Sequence, residues 1–147
     1  MSKIKNRIVL CVLLTFVVVF SCACDLVKAP DYYELNGDDV VTSFTKVVGD
    51  RKVNTKKIEM TNAVQTISYS YKNVVDAYGD AEKYIDFLTG EEDFYYNGML
   101  NMDESEDEVS LSKTSPKDEE YEITVTVIYN VNTKVVKIVV EREKIIE

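Results

Sequence analysis

Tyr121–Asn130 reads "YEITVTVIYN", and the apolar residues at every second position decide the fold. Tyr121, Ile123, Val125, Val127 and Tyr129 share one face, while Glu122, Thr124 and Thr126 point the other way. Successive side chains on an extended strand leave opposite faces, so this period of two describes a strand with one face buried and one face wet. The next run, "KVVKIVVER", repeats the pattern with Val136, Ile138 and Val140. The pair reads as a long hairpin turning through Asn132-Thr133.

Working back toward the N-terminus, "TISYSY" sets Ile67, Tyr69 and Tyr71 against Thr66, Ser68 and Ser70, again a half-buried strand. "EVSLSK" (108–113) and "IEM" (58–60) read as shorter strands. "DFYYNGMLNM" carries Asn97-Gly98, the pair that best tolerates a type I′ turn, and predicts another hairpin. Between strands, "NVVDAYGDAEKYIDFLTG" places Val74, Tyr78, Ala81, Ile85 and Leu88 at spacings of three and four, one stripe of an amphipathic helix. Asn73 is its expected N-cap and Gly90 its expected end; Gly79 inside it suggests close approach to a strand. "DDVVTSFTKVVGD" has Val40, Val41, Phe44, Val47 and Val48 at helical spacing, with Asp39 as cap and Gly49 at the end, although its β-branched residues oppose a helix. One apolar stripe per helix and one apolar face per strand predict an α+β fold, a two-layer sandwich of one or two helices on a largely antiparallel sheet.

Acidic residues dominate the charge. The chain of 147 residues holds 17 basic and 26 acidic side chains and no histidine. Such a surface lacks the Lys/Arg needed to displace counterions from phosphates, so nucleic acid is not an expected partner. Without histidine the commonest general base and the Ser–His and Cys–His nucleophile systems are missing. Neither a P-loop nor a dinucleotide glycine fingerprint is present. The sequence therefore predicts no catalytic residues, no enzyme and no cofactor.

The cysteines point elsewhere. Lys3, Lys5 and Arg7 precede an apolar run from Ile8 to Phe20, too short for the roughly 20 residues a spanning helix needs. A basic start, a short apolar run and small residues after it describe a secretory signal peptide; an uncleaved anchor extending to Ala23 is the alternative. Cys22 and Cys24 are separated by one residue, not by the two of a redox motif, and without histidine or later cysteines they cannot complete a zinc site.

The stretch Val19-Phe20-Ser21-Cys22 resembles the lipobox of a bacterial lipoprotein, with an apolar residue three before the cysteine and a small one directly before it. Phe20 is bulkier than that pattern prefers. Cys24, preceded by Ala23 but with polar Ser21 at the apolar position, is the alternative. The resemblance implies that 1–21 is a lipoprotein signal peptide and that Cys22 becomes a lipidated N-terminus. A tether over 22–37 and a single α+β domain over 38–147 would then follow. Removing 1–21 takes three basic and no acidic residues, leaving 14 against 26, net −12. It also implies a location on the bacterial membrane, lipid-anchored and facing the extracytoplasmic side. The domain behind the lipobox shows no family pattern.

Candidate sites in the domain are few. Asp103, Glu104, Glu106, Asp107 and Glu108 offer hard oxygen ligands that calcium accepts, but they lack the ligand spacing and central glycine of an EF-hand loop. A solvated acidic loop is the preferred reading, with no metal expected. Most tyrosines fall on apolar stripes and belong to the core; Tyr95 and Tyr96, adjacent on a strand, must face opposite ways, so one looks outward as a possible binding surface. The expected role is binding or assembly at the cell envelope, with a peptide, a glycan or an envelope protein as partner. A structural accessory subunit is the alternative, followed by a small carboxylate-dependent hydrolase. An exposed tyrosine or open sheet edge favours binding, a deep pocket with paired acids favours hydrolysis.

Overall fold

A computed structural model describes residues 28–97 and 102–146. Eight strands and two helices follow in chain order: β1 (Tyr32–Glu34), β2 (Val40–Thr42), α1 (Phe44–Val48), β3 (Val53–Thr61), β4 (Val64–Lys72), α2 (Ala77–Glu91), β5 (Tyr95–Tyr96), β6 (Glu106–Thr114), β7 (Tyr121–Asn130) and β8 (Val135–Lys144). Strands β3 to β8 form one sheet in the order β3-β4-β8-β7-β6-β5, and every neighbouring pair is antiparallel. Strands β1 and β2 form a separate small ladder. The fold is thus a largely antiparallel sheet with two helices, and the sheet dominates.

The alternating runs form the centre of the sheet. In β7 every second residue from Ile123 to Tyr129 is buried, and the register sets Val125 beside Val140 and Val127 beside Ile138. Ile67, Tyr69 and Tyr71 of β4 complete the same face, on which α2 buries Ala77, Ala81, Tyr84, Ile85 and Leu88. Phe44 of α1 packs against Tyr71 and, edge-on, against Tyr84. The tyrosine hydroxyls are satisfied internally: Tyr33 and Tyr71 share a 2.9 Å hydrogen bond, and the Phe44 N–H donates to the Tyr33 oxygen. The Tyr84 hydroxyl donates to the Thr42 carbonyl at 2.8 Å.

Several boundaries differ from expectation. The segment read as a helix from Asp39 to Gly49 is split: β-branched Val40, Val41 and Thr42 are extended, and the short α1 begins only after Ser43, whose hydroxyl accepts the Lys46 N–H. The main helix starts later than Asn73, which instead takes a positive φ of 58° in a turn; Asp76 is the N-cap, and its Oδ1 accepts the Gly79 N–H at 2.9 Å. A Cβ on residue 79 would lie 2.4 Å from Asp76 Oδ2, so this glycine makes room for the cap, not for a strand. Gly90 lies inside the helix, which runs on to Glu91.

Tyr95 and Tyr96 pair with Ser112 and Leu111 of β6; the return arm of the hairpin expected at Asn97-Gly98 lies outside the described residues. The two-residue turn is Asn62-Ala63, both at positive φ (50° and 67°), the type I′ signature. The β7–β8 turn is wider than Asn132-Thr133, and the Asn130 side chain braces it by accepting the Thr133 N–H. Within the stretch read as a tether, Tyr33 and Leu35 are buried and β1 pairs with β2 from Tyr32 onward, so residues 32–37 pack with the domain.

Candidate functional site

The sheet has two unlike faces. Both helices and the β1–β2 ladder lie against the apolar one. On the other, β4 presents Thr66, Ser68 and Ser70 and β7 presents Thr124, Thr126 and Ile128, with Lys137, Val139 and Glu141 of β8 between them. Ser110 of β6 continues the row, its hydroxyl 3.0 Å from that of Thr126. Among the described residues no helix or strand packs over this face. Short hydroxyl side chains lose little rotamer freedom when they engage a partner; here they flank the mixed side chains of β8, one of which, Glu141, accepts the Thr66 hydroxyl at 3.0 Å.

Tyr95 borders the hydroxyl face. It pairs with Ser112, lies 53% exposed, and its hydroxyl donates to Glu122 Oε1 at 3.1 Å. Tyr96, next along the strand, turns inward and packs against the core. Beneath Tyr95, Ser112 is buried and donates to the Asn97 side-chain oxygen at 2.8 Å. Of the tyrosines on apolar stripes, Tyr69, Tyr71 and Tyr129 are fully interior, while Tyr78 and Tyr121 are half-buried. Tyr33 and Tyr84 are interior too; Tyr84 lies three residues after Ala81 and four before Leu88, at the helix's own apolar spacing, and Tyr33 docks on the domain from the stretch read as a tether.

The acidic run is divided between a turn and a strand. Asp103 and Glu104 lie in the turn, whereas Glu106, Asp107 and Glu108 belong to β6. Asp103 Oδ1 accepts both the N–H and the hydroxyl of Ser105, and these donors hold its carboxyl below the usual range. Asp107 accepts the Asp103 and Glu108 N–H groups, and Glu106 accepts the Asn130 side-chain amide. The Tyr129 hydroxyl donates to the Asp103 carbonyl; burial, then the nearby Asp107 carboxylate, pushes that phenol up to about 12. The Asp103, Glu106 and Asp107 carboxylates are spent on bracing the turn, and among the described residues no group of three acidic, cysteine or histidine side chains could hold a metal ion. A general acid needs its carboxyl pKa raised, and that of Asp103 moves the other way.

One charged site lies inside the domain. Asp39 is completely buried, and its Oδ2 accepts from Arg142 Nε at 2.8 Å and from the Ser115 hydroxyl at 2.6 Å. Its Oδ1 has no hydrogen-bond partner among the described residues. The Arg142 guanidinium lies 3.7 Å from the Tyr121 ring centre, in cation–π contact, and closely under Gly37, where a Cβ would come within 2.7 Å of it. The pair joins the end of β8 to the loop before β2 and reads as a structural clasp. Nothing in the sequence pointed to it, since its partners lie 103 positions apart.

A shallow cleft at the start of β3 is lined by Lys28, Lys46, Arg51 and Lys52 with Asp31 and Asp50. Its cations are partly engaged: Arg51 makes two parallel bonds to Asp80, at 2.7 and 2.9 Å, and Lys46 lies 3.9 Å from Asp31. No helix among the described residues is long and apolar enough to cross a membrane. Cys22 and Cys24 lie outside the described residues. No known family model, curated protein or solved structure matches the chain.

Proposed function

We propose that the chain is an exported, lipid-anchored protein of the bacterial cell envelope, and that its domain binds a partner on the uncovered hydroxyl face of the sheet. The anchoring half rests on Lys3, Lys5, Arg7, the apolar run Ile8–Phe20 and the lipobox-like Val19-Phe20-Ser21-Cys22, with Cys24 as the second candidate. Two or more acyl chains on such a cysteine give stable attachment, because each buried CH₂ contributes about 0.8 kcal/mol. Because Tyr32 already pairs within the domain, nine residues separate Cys22 from that strand. Fully extended they reach roughly 35 Å, so a lipid on Cys22 would keep the domain close to the bilayer.

The binding half is carried by a single observation: hydroxyls of β4, β6 and β7, on either side of Lys137, Val139 and Glu141 of β8, line one open face, with exposed Tyr95 at its border. A tyrosine beside adaptable hydroxyl groups suits contact with a peptide, a glycan or an envelope protein. The role is non-enzymatic, with the domain a two-layer arrangement whose helical layer supports the sheet from behind.

Each half has its own test. Cells expressing the full chain with labelled palmitate should incorporate label, and Cys22→Ala should abolish it while Cys24→Ala does not. Absence of label from the unaltered chain would remove the anchoring half. A photo-crosslinking residue at Thr126 should trap a partner in intact cells, whereas the same residue at Lys83, on the exposed side of α2, should not. Equal trapping at both positions would remove the binding half.

A further inference from the structure

One edge of the sheet is β3, and its sequence is complementary to itself. Strand β3 has nine residues, of which all but Val53 are exposed, and among the described residues only β4 pairs with it. Such an edge is a row of unpaired N–H and C=O groups and a template for another strand. The turn at Asn62-Ala63 determines which groups those are. A two-residue loop is closed by a doubly bonded pair, here Thr61 with Val64, so Thr61, Glu59 and Lys57 direct their backbone groups to β4. Lys56, Ile58 and Met60 direct theirs outward. Ile58 and Met60 are also among the large exposed apolar side chains of the fold, each 56% exposed, and Ile58 sits beside Ile67 on the apolar side of the sheet.

We infer that β3 pairs with β3 of a second copy of the chain, antiparallel and centred on Ile58. In that register Ile58 meets Ile58 of the second copy as a doubly hydrogen-bonded pair, and Lys56 meets Met60 on either side. Lys57 then stands opposite Glu59 of the second copy, twice by symmetry. Opposite charges directly across an antiparallel pair stabilise it, and like charges oppose it. Shifting the centre by one residue places Lys57 against Lys57 or Glu59 against Glu59, so charge selects the register. Within one copy Lys57 Nζ lies 2.7 Å from Glu59 Oε2, so both side chains already share one face and need only change partner. The ladder irregularity between Val53 and Thr55 ends the straight part of the strand just before Lys56. A two-fold contact of this kind closes on itself and does not propagate.

A single edge pairing belongs to the small class of interfaces, so association is sought up to about 1 mM, the weak end of the affinity scale. Sedimentation of the purified full chain should show a monomer–dimer equilibrium. Lys57→Glu alone and Glu59→Lys alone should each weaken it at least about tenfold, and the double exchange Lys57→Glu/Glu59→Lys should restore it. Unchanged circular dichroism would show that all three variants fold. Doubly bonded antiparallel pairs hold their Cα atoms about 5.5 Å apart, within the range a disulfide spans. Ile58→Cys should therefore oxidise to a dimer linked 58 to 58, identified by peptide mass, whereas Thr55→Cys should not. A chain that stays monomeric, a double exchange that fails to restore association, or equal linkage through both cysteines would each overturn the proposal.

Discussion

Strands β3 and β4 are the two arms of one hairpin, nine residues each, and their surroundings are opposite. On β4 every second side chain from Gln65 to Tyr71 is buried; on β3 none is. What makes β4 a strand is a core that admits only one of its faces. β3 is held by backbone pairing and a turn, with almost no burial. A change that β4 feels should thus reach the whole fold, and a change on β3 should reach mainly the surface. Substitutions ordered by expected effect test that contrast.

The largest effect is expected beside the N-terminal end of β4, where Gln65 pairs with Arg142 and Arg142 with buried Asp39. Asp39→Ala leaves a guanidinium, its own side chain only 8% exposed, without its counter-charge. Loss of one partner of a buried pair costs about 3–5 kcal/mol, whereas apolar replacement of both is often close to neutral. Urea denaturation should show Asp39→Ala losing that amount and Asp39→Leu/Arg142→Met losing much less. Additive losses would mean that the two charges do not depend on each other.

The opposite end of β4 yields a pH effect. Burial raises the phenol of Tyr71 to about 12 and those of Tyr33 and Tyr84 well above the ordinary 10. An acid whose pKa is higher folded than unfolded keeps its proton longer in the native state. Its contribution is complete below pH 10 and is lost as pH rises from 10 through 12. For Tyr71 alone that loss is about 2–3 kcal/mol. Tyrosinate absorbance should rise together with unfolding, not before it. Free titration of all tyrosines near pH 10 in the folded protein would contradict the buried hydroxyl network.

The same contrast explains what the sequence reveals and what it hides. β4, β7 and β8 are legible because a buried face imposes a period of two on Ile67-Tyr69-Tyr71, Ile123-Val125-Val127-Tyr129 and Val136-Ile138-Val140. β3 has no buried face, so only Ile58-Glu59-Met60 suggested a strand, and neither its length nor its edge position could be read. Val40 and Val41 fit helical spacing and strand propensity alike, and pairing with β1 resolved the ambiguity toward strand. The opposite facing of Tyr95 and Tyr96 follows from pleat geometry and was legible. That hydroxyls of β4, β6 and β7 share one open face with β8 between them was not, because it depends on strand order. The Asp39–Arg142 clasp and the Tyr33–Tyr71 bond join residues that no local pattern connects.

A smaller effect, of opposite sign, is expected where the two arms meet. Ala63 takes a φ of 67°, in the left-handed region that costs a residue with a Cβ about 1–2 kcal/mol. Glycine removes this cost but loses more entropy on folding, so Ala63→Gly should gain a net amount of about 0.5–1 kcal/mol. A higher urea midpoint at unchanged slope would show it. A lower midpoint would mean that the turn is less strained than its dihedral angles imply.

The smallest effect on folding should come from Ile58→Thr on β3. The side chain is 56% exposed, and threonine keeps the β-branched shape that suits a pleated strand. Its urea midpoint should stay within about 0.5 kcal/mol of the unaltered chain, as surface substitutions usually do. The neighbouring Ile67, paired directly across the hairpin and buried, gives the internal comparison: Ile67→Thr introduces a hydroxyl into the core and should cost several times more. If Ile58→Thr instead cost as much as Ile67→Thr, β3 would be held by packing like its partner. A near-neutral result would mean that an isoleucine at 58 contributes little to the fold of one chain.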